Sequence, residues 1–123
     1  KACYFSRQKI IYSKELARAV IAQQLSFKKI KELPADEIRQ LLKNIKGIGD
    51  WTADIFLMMC MQEADVFPAG DIALIKSMKE IKNLPADTSP RQILSIANEW
   101  RPYRTIGAFM LYHAYLTRRN RTD

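Results

Sequence analysis

The sequence has few of the residues that build metal centres, disulfide frameworks or membrane spans. It contains two cysteines and one histidine among 123 residues. Cys3 and Cys60 lack metal-type spacing, which is typical of a reducing interior, although a disulfide between them stays open. The best apolar run, residues 55–61, is far shorter than the roughly 20 residues that cross a bilayer. We also expect no secretory signal, because polar and charged residues follow the first few positions closely. We therefore expect no membrane partner.

What the chain does contain is apolar residues and positive charge. It is 48% hydrophobic and 27% charged, which suits one soluble domain or part of one. Its formal net charge is +7 and its isoelectric point is about 9.6. A basic balance favours a polyanion such as nucleic acid, but many basic domains bind none.

Nearly every segment has helical periodicity, and none shows the alternation of a strand. Caps such as Ser6 and Ser89 and apolar spacing predict helices over residues 7–23, 35–45, 51–61, 72–81, 90–100 and 103–118. Residues 27–33 form a short turn or helix in this prediction. The predicted fold class is all-α, a compact bundle of short helices. The apolar spacing also predicts which face of two helices points inward. In helix 7–23 this face is Ile10, Ala17, Val20, Ile21 and Gln24. In helix 51–61 it is Thr52, Ile55, Phe56 and Met59.

A Gly47-Ile48-Gly49 turn joins the predicted helices 35–45 and 51–61. Glycine allows positive φ and close approach of another molecule, while Ile48 can point inward. The amides at the start of the following helix then form an anion site, for which a nucleic-acid phosphate is the obvious occupant. An ordinary glycine turn between two helices explains the same residues, so both interpretations stay open.

Asp71 follows an apolar loop with a Pro-Ala-Gly bend and stands where a helix N-cap belongs. The simplest role is a cap whose carboxylate accepts N–H bonds from residues such as Ala73 or Leu74. The same position holds the carboxylate ionised, because the amides and the helix dipole favour its charged form. A fixed anion of this kind can stabilise a cation that forms during a reaction.

Two stretches carry a family resemblance. IKGIGDWTADIFLMMCMQEADVFPAGDIALIKSM resembles the helix-hairpin-helix, proline-containing loop and aspartate of the HhH-GPD superfamily of DNA base-excision glycosylases, most closely its alkylpurine (3-methyladenine) branch. WRPYRTIGAFMLYHAYL is similar to the closing helix of that branch. The match runs from about Phe5 to Leu116 and implies a helix-hairpin-helix at about residues 35–61.

The resemblance implies roles for individual residues. Asp71 takes the place of the catalytic aspartate, and the aromatic candidates for a base pocket are Trp51, Phe67 and Tyr103. The implied DNA-binding residues are those of the hairpin and its flanks: Lys46, Gly47, Ile48, Gly49, Asp50, Trp51 and Thr52. Asp50 departs from the family pattern, because it places a negative charge beside the implied phosphates. Its side chain could instead cap the following helix.

The resemblance also bears on cofactors and reaction type. Trp51 occupies the place of the lysine nucleophile of strand-cleaving members, so the implied enzyme is monofunctional. No cysteine follows Cys60, so no iron–sulfur cluster is expected. A structural Na⁺ or K⁺ at carbonyls near Lys46 and Ile48 is a family feature of the hairpin.

The function predicted from these residues is excision of alkylated purines from double-stranded DNA by hydrolysis of the N-glycosidic bond. The alternative is a non-catalytic helix-hairpin-helix module or an inactive part of a glycosylase. The resemblance implies a single helical domain over residues 1–123 that forms the C-terminal portion of a larger enzyme. It also implies a location in the bacterial cytoplasm or a eukaryotic nucleus. The lesion preference and oligomeric state are left open.

Overall fold

The computed structural model describes residues 4–120 and is all-helical there. In chain order the seven helices of this part are α1 (Arg7–Ile21), α2 (Phe27–Ile30), α3 (Ala35–Lys43), α4 (Asp50–Met59), α5 (Ile72–Ile81), α6 (Pro90–Asn98) and α7 (Arg104–Arg119). The predicted all-α class is confirmed, and no helix of the described part is long and apolar enough to cross a membrane. Cys60 is exposed, while Cys3 lies outside the described residues, so the disulfide question stays open.

The chain divides into two compact units, one ending at Ala53 and the other beginning at Asp54. The division falls inside α4, which therefore contributes its first turn to one unit and its remainder to the other. That the 123 residues form a single domain, as the sequence suggests, stays a prediction.

The first unit is built from α1 to α3 and the hairpin turn. Ser6 caps α1 by accepting the Lys9 amide at 3.2 Å, and Pro34 precedes α3 in an extended conformation rather than as its first residue. The buried side chains of this unit include those of Ala19, Leu25, Ile30, Ile38, Leu42 and Ile45. Ile38 and Leu42 of α3 are thus buried, as is Ile45 just after it, and Leu41 is half-buried.

The predicted inward face of α1 is wrong. Ile10 and Ile21 are 43% and 82% exposed, and only Ala19 of this helix is buried. Apolar residues occur around most of α1, so periodicity alone does not select a face. The chain instead turns at the helix end, where the amides of Gln24 and Leu25 both donate to the Ala19 carbonyl and bring Leu25 into the core.

The predicted face of α4 is wrong at two of its four positions, for a similar reason. Thr52 and Met59 are exposed, and Ile55 and Phe56 are half-buried. The buried residues of α4 are Ala53, Asp54, Leu57 and Met58. Residues 53–59 are almost uniformly apolar apart from Asp54, so the spacing fits more than one face. Packing therefore decides which stripe of α4 is covered.

The second unit contains the rest of α4 and α5 to α7, with α5 packed along α7. Its buried apolar residues include Leu74, Met78, Ile93, Ala97, Ala108 and Leu111. Asp71 begins α5 at the predicted position, and Ser89 caps α6 in a reciprocal arrangement with the side chain of Gln92. The last helix starts at Arg104, one residue after its predicted start.

Candidate active site and nucleic-acid interface

The hairpin turn leaves α3 at Asn44 and enters α4 at Asp50. Ile45 is buried and Ile48 is half-buried, and the Ile48 amide closes the turn by donating to the Ile45 carbonyl at 3.1 Å. Gly47 has a φ of +98°, a conformation that side-chain-bearing residues rarely adopt. Ile48 therefore anchors the turn from within, as the sequence suggests, and the glycine supplies its reversal.

Tyr12 of α1 packs directly against Gly47. A Cβ on Gly47 would overlap the ring of Tyr12, whereas a Cβ on Gly49 would meet nothing within 4 Å. The Tyr12 hydroxyl accepts a hydrogen bond from the Gln8 side chain at 2.6 Å, which holds the ring from α1. The two glycines therefore differ in their surroundings. A side chain at Gly47 would collide with Tyr12, whereas a side chain at Gly49 would project into open space.

The negative charge of Asp50 is matched by Lys43. The Lys43 Nζ lies 2.6 Å from Asp50 Oδ1, and the Asp50 side chain is 72% exposed. An exposed pair of this kind contributes about 0–1 kcal/mol to stability, but it reduces the field of the carboxylate at the turn. Asp50 is the first residue of α4, and the Gly49 carbonyl accepts the first helical bond from Ala53. Gly49 therefore holds the N-cap position suggested for Asp50.

The other predicted phosphate-binding residues lie at the surface. Lys46, Trp51 and Thr52 are exposed, and Trp51 keeps 51% of its surface accessible. The first amides of any α-helix have no carbonyl four residues earlier to bond, and they carry the positive end of the helix dipole. The turn and the first turn of α4 therefore present backbone donors beside a lysine, which is a suitable arrangement for an anion.

The carbonyls of the turn suit the cation that the family resemblance implies. Those of Ile45 and Gly49 accept backbone amides, while no described turn bond uses those of Lys46 and Ile48. Carbonyl oxygen is a hard ligand of the kind that Na⁺ and K⁺ prefer. No group of three or more His, Cys, Asp or Glu side chains in residues 4–120 could hold a metal ion.

Asp71 caps α5 and is 8% exposed. Its Oδ1 accepts the amides of Ala73 and Leu74 at 2.9 and 3.1 Å, the two donors suggested from the sequence. Its Oδ2 accepts the hydroxyl of Tyr112, on α7, at 2.8 Å. Three neutral donors thus converge on one nearly buried carboxylate, and hydrogen bonds to the charged form favour it.

Tyr112 is the residue of this site that sequence reasoning missed. Burial raises the pKa of Tyr112 well above its usual range, and the hydrogen bond and charge of Asp71 raise it further. The phenol consequently stays protonated and donates at neutral pH. Tyr112 follows the buried residues Thr105 and Ala108 at helical spacing, so the sequence could have shown that it lies on the inward face of α7. The sequence gives no sign that its partner is Asp71, 41 residues away.

The loop that leads to Asp71 is tied to the start of α7. Arg104 donates through Nε and a terminal nitrogen to the two carboxylate oxygens of Asp65 at 2.7 and 3.1 Å. The buried Thr105 hydroxyl donates to the Glu63 carbonyl at 2.6 Å and accepts the Val66 amide at 3.0 Å. These bonds fix the residues immediately before the Pro-Ala-Gly bend.

The three aromatic candidates for a base pocket have different surroundings. Phe67 is 6% exposed and meets Trp100 edge to face at 6.1 Å between ring centroids, so it is a core residue of the second unit. Its predicted place in a base pocket is therefore corrected, because a packed ring offers no face to a base. Tyr103 is 60% exposed beside an apolar cavity that also contacts Trp100. Trp51 is half exposed at the start of α4.

The chain is similar to known DNA glycosylases over most of its length. It is 31% identical to a Bacillus subtilis DNA-3-methyladenine glycosylase over 97 residues, which cover 79% of this chain and 32% of that protein. It is 32% identical to DNA-3-methyladenine glycosylase 1 of Schizosaccharomyces pombe over 113 residues, 91% of this chain and 50% of that protein. No family model matches the sequence.

Solved structures give the same result. The fold matches the S. pombe 3-methyladenine DNA glycosylase Mag1, solved with abasic DNA, at a TM-score of 0.85 and 30% identity over 90% of this chain and 54% of that one. A Bacillus halodurans DNA-3-methyladenine glycosidase matches at a TM-score of 0.76 and 28% identity, over 91% of this chain and 52% of that one.

A helical fold with a glycine hairpin and an aspartate-capped helix defines the class of helix-hairpin-helix DNA glycosylases. The chain belongs to this HhH-GPD superfamily, in its 3-methyladenine branch. It spans about a third to a half of the length of the relatives it matches.

Proposed function

We propose that the chain is the part of a monofunctional DNA glycosylase that holds the DNA backbone and supplies the catalytic anion. The reaction is hydrolysis of the N-glycosidic bond of an alkylated purine. The observation that carries the proposal is Asp71, a nearly buried carboxylate held by three donors at the start of α5. Relatives named 3-methyladenine glycosylases support the substrate class.

The chemistry needs a fixed negative charge. Alkylation leaves a positive charge on the purine, and the sugar becomes oxocarbenium-like as the base departs. A unit charge about 4 Å from that cation contributes roughly 4 kcal/mol at an effective dielectric near 20. This corresponds to about three decades of rate. Asp71 is suited to this role because its donors are already in place and need no reorganisation during the reaction.

The hairpin is the proposed grip on the DNA. Backbone donors between Gly47 and Thr52, other than the Ile48 amide that closes the turn, bind phosphate oxygens, and Lys46 adds charge attraction. Na⁺ or K⁺ held by the Lys46 and Ile48 carbonyls would supply positive charge to the same phosphate. The target base leaves the stack before reaction, and Trp51 and Tyr103 are the exposed aromatic candidates to receive it. Trp51 cannot form a Schiff base, so the product is an abasic site.

The decisive experiment is Asp71→Asn, because asparagine keeps the N-cap and removes the charge. We expect base release from duplex DNA bearing 3-methyladenine or 7-methylguanine to fall by about 10²–10⁴-fold, with little change in DNA affinity. Asp87→Asn, at an exposed loop position, is the matched loss of one negative charge and should leave both unchanged. Equal activity of the Asp71→Asn and parent proteins would contradict a catalytic role and leave a DNA-binding module.

DNA binding is tested separately through salt. Phosphate contacts release counterions, so the affinity should fall steeply between about 50 and 200 mM salt. Fluorescence anisotropy with a labelled duplex measures this slope. A flat salt dependence would contradict the hairpin grip.

A further inference from the structure

Two helices share the task of orienting the Asp71 carboxylate. The amides of α5 engage Oδ1 at 2.9 and 3.1 Å and hold that oxygen only, so small joint changes of the two side-chain torsions can still move Oδ2. The terminal torsion of an aspartate has a broad distribution. An N-cap contact by itself therefore does not fix where the second oxygen points.

The second oxygen is held from α7. Tyr112 Oη lies 2.8 Å from Asp71 Oδ2, and Tyr112 is half-buried on a helix that packs along α5. The packing of α5 on α7 thus places the hydroxyl, and the hydroxyl restrains the second carboxylate oxygen. We propose that Tyr112 is a positioning residue that orients the Oδ2 edge of the Asp71 carboxylate for its work on the departing sugar.

The protonation state of the phenol supports this role. Burial first, and then the bond to and charge of Asp71, raise the pKa of Tyr112 far above neutrality, so it is a donor throughout the working range. A neutral donor holds the carboxylate without cancelling its charge, whereas a lysine or arginine in the same place would oppose its effect on a cation. The kinetic part of this proposal rests on the proposed function, but the contact itself is testable without any activity.

The contact is tested by NMR of tyrosine labelled at Cζ. Asp71→Asn replaces the charged acceptor by a neutral amide, so we expect the Tyr112 Cζ signal and its alkaline titration to move toward those of an ordinary tyrosine. Tyr115, also half-buried on α7, is the internal control and should not respond. An unchanged Tyr112 signal would overturn the proposal whether or not the protein releases bases.

The positioning role is tested by Tyr112→Phe with Tyr115→Phe as the matched control. We expect the single-turnover rate of base release to fall about tenfold for Tyr112→Phe, with unchanged affinity for a duplex containing a tetrahydrofuran abasic site. Tyr115→Phe should keep the parent rate. In an Asp71→Asn background the Tyr112→Phe change should have no further effect on rate, since Tyr112 acts through Asp71.

The outcomes separate the two proposals. A parent-like rate in Tyr112→Phe, with activity still dependent on Asp71, would overturn the positioning role and keep the proposed function. An additive loss in the double variant would also overturn it, since it would mean that Tyr112 acts independently of the carboxylate. Absence of base release by the parent protein would contradict the proposed function, and the NMR result would then decide the contact alone.

Discussion

Replacing Gly47 by alanine tests the hairpin more sharply than any other single change. The φ of +98° is strained for any residue with a Cβ, which costs about 1–2 kcal/mol. The added methyl would also overlap the ring of Tyr12, and overpacking of this kind costs about 1–3 kcal/mol. We therefore expect Gly47→Ala to lower the free energy of unfolding by about 2–5 kcal/mol.

The matched control is Gly49→Ala, two residues further along the same turn. Its Cβ would enter open space. The small loss from placing alanine at an N-cap is offset by the reduced entropy of the unfolded chain, so the net change should stay within about 1 kcal/mol. Its DNA affinity should nevertheless fall about tenfold, because a methyl there keeps a phosphate from the amides of the turn.

Thermal unfolding followed by circular dichroism, with anisotropy for DNA binding, distinguishes the two variants. Gly47→Ala should melt roughly 10 °C below the parent protein, since each kcal/mol moves the midpoint by a few degrees in a chain of this size. Adding Tyr12→Ala to Gly47→Ala should relieve the overlap but keep the backbone strain. Equal melting temperatures for the two single glycine variants would refute the turn described here.

Two further predictions concern the loop before Asp71. Arg104 holds the pKa of Asp65 below its usual 3.8, chiefly through its side-chain hydrogen bonds. Because the carboxyl is more acidic in the folded protein, the interaction stabilises the fold above pH 3.8. This stabilisation is lost as the pH falls through the lower pKa of the folded state. Asp65→Asn should therefore melt earlier than the parent at pH 6, with a gap that narrows below pH about 3.8. Asp87→Asn, at an exposed loop position, is the matched loss of charge and should melt with the parent at pH 6. Thr105→Val removes the acceptor of the buried Val66 amide and should cost about 1–3 kcal/mol in urea unfolding. A parent-like midpoint for Thr105→Val would mean that this amide finds another partner.

Features that depend on neighbouring residues were predictable from the sequence. Ser6, Asp71 and Ser89 begin their helices at the expected places, and Asp71 accepts the two amides expected of it. Cap geometry involves only the residues of one turn, and the spacing of side chains along a helix is fixed by its pitch. The family resemblance added the hairpin and the aspartate as a pair, and the comparisons confirm the family.

The packed faces of α1 and α4 show where local reasoning stops. Both helices carry apolar residues around most of their circumference, so their periodicity allows several inward faces. The structure buries Ala19 in α1, and Leu57 and Met58 in α4, because other segments cover those particular stripes. Phe67 is likewise a core residue because Trp100, 33 positions away, meets its ring.

The sequence by itself determined the helices, the caps at Ser6, Asp71 and Ser89, the glycine turn and the identity of the charged group at the start of α5. Only the tertiary structure decided that Tyr112 orients the Asp71 carboxylate, that Tyr12 supports Gly47 and that Arg104 anchors the loop at Asp65. The reason is physical: caps and periodicity arise from bonds within a few residues, whereas these contacts join residues 35 to 41 positions apart. Their geometry exists only after the helices have packed.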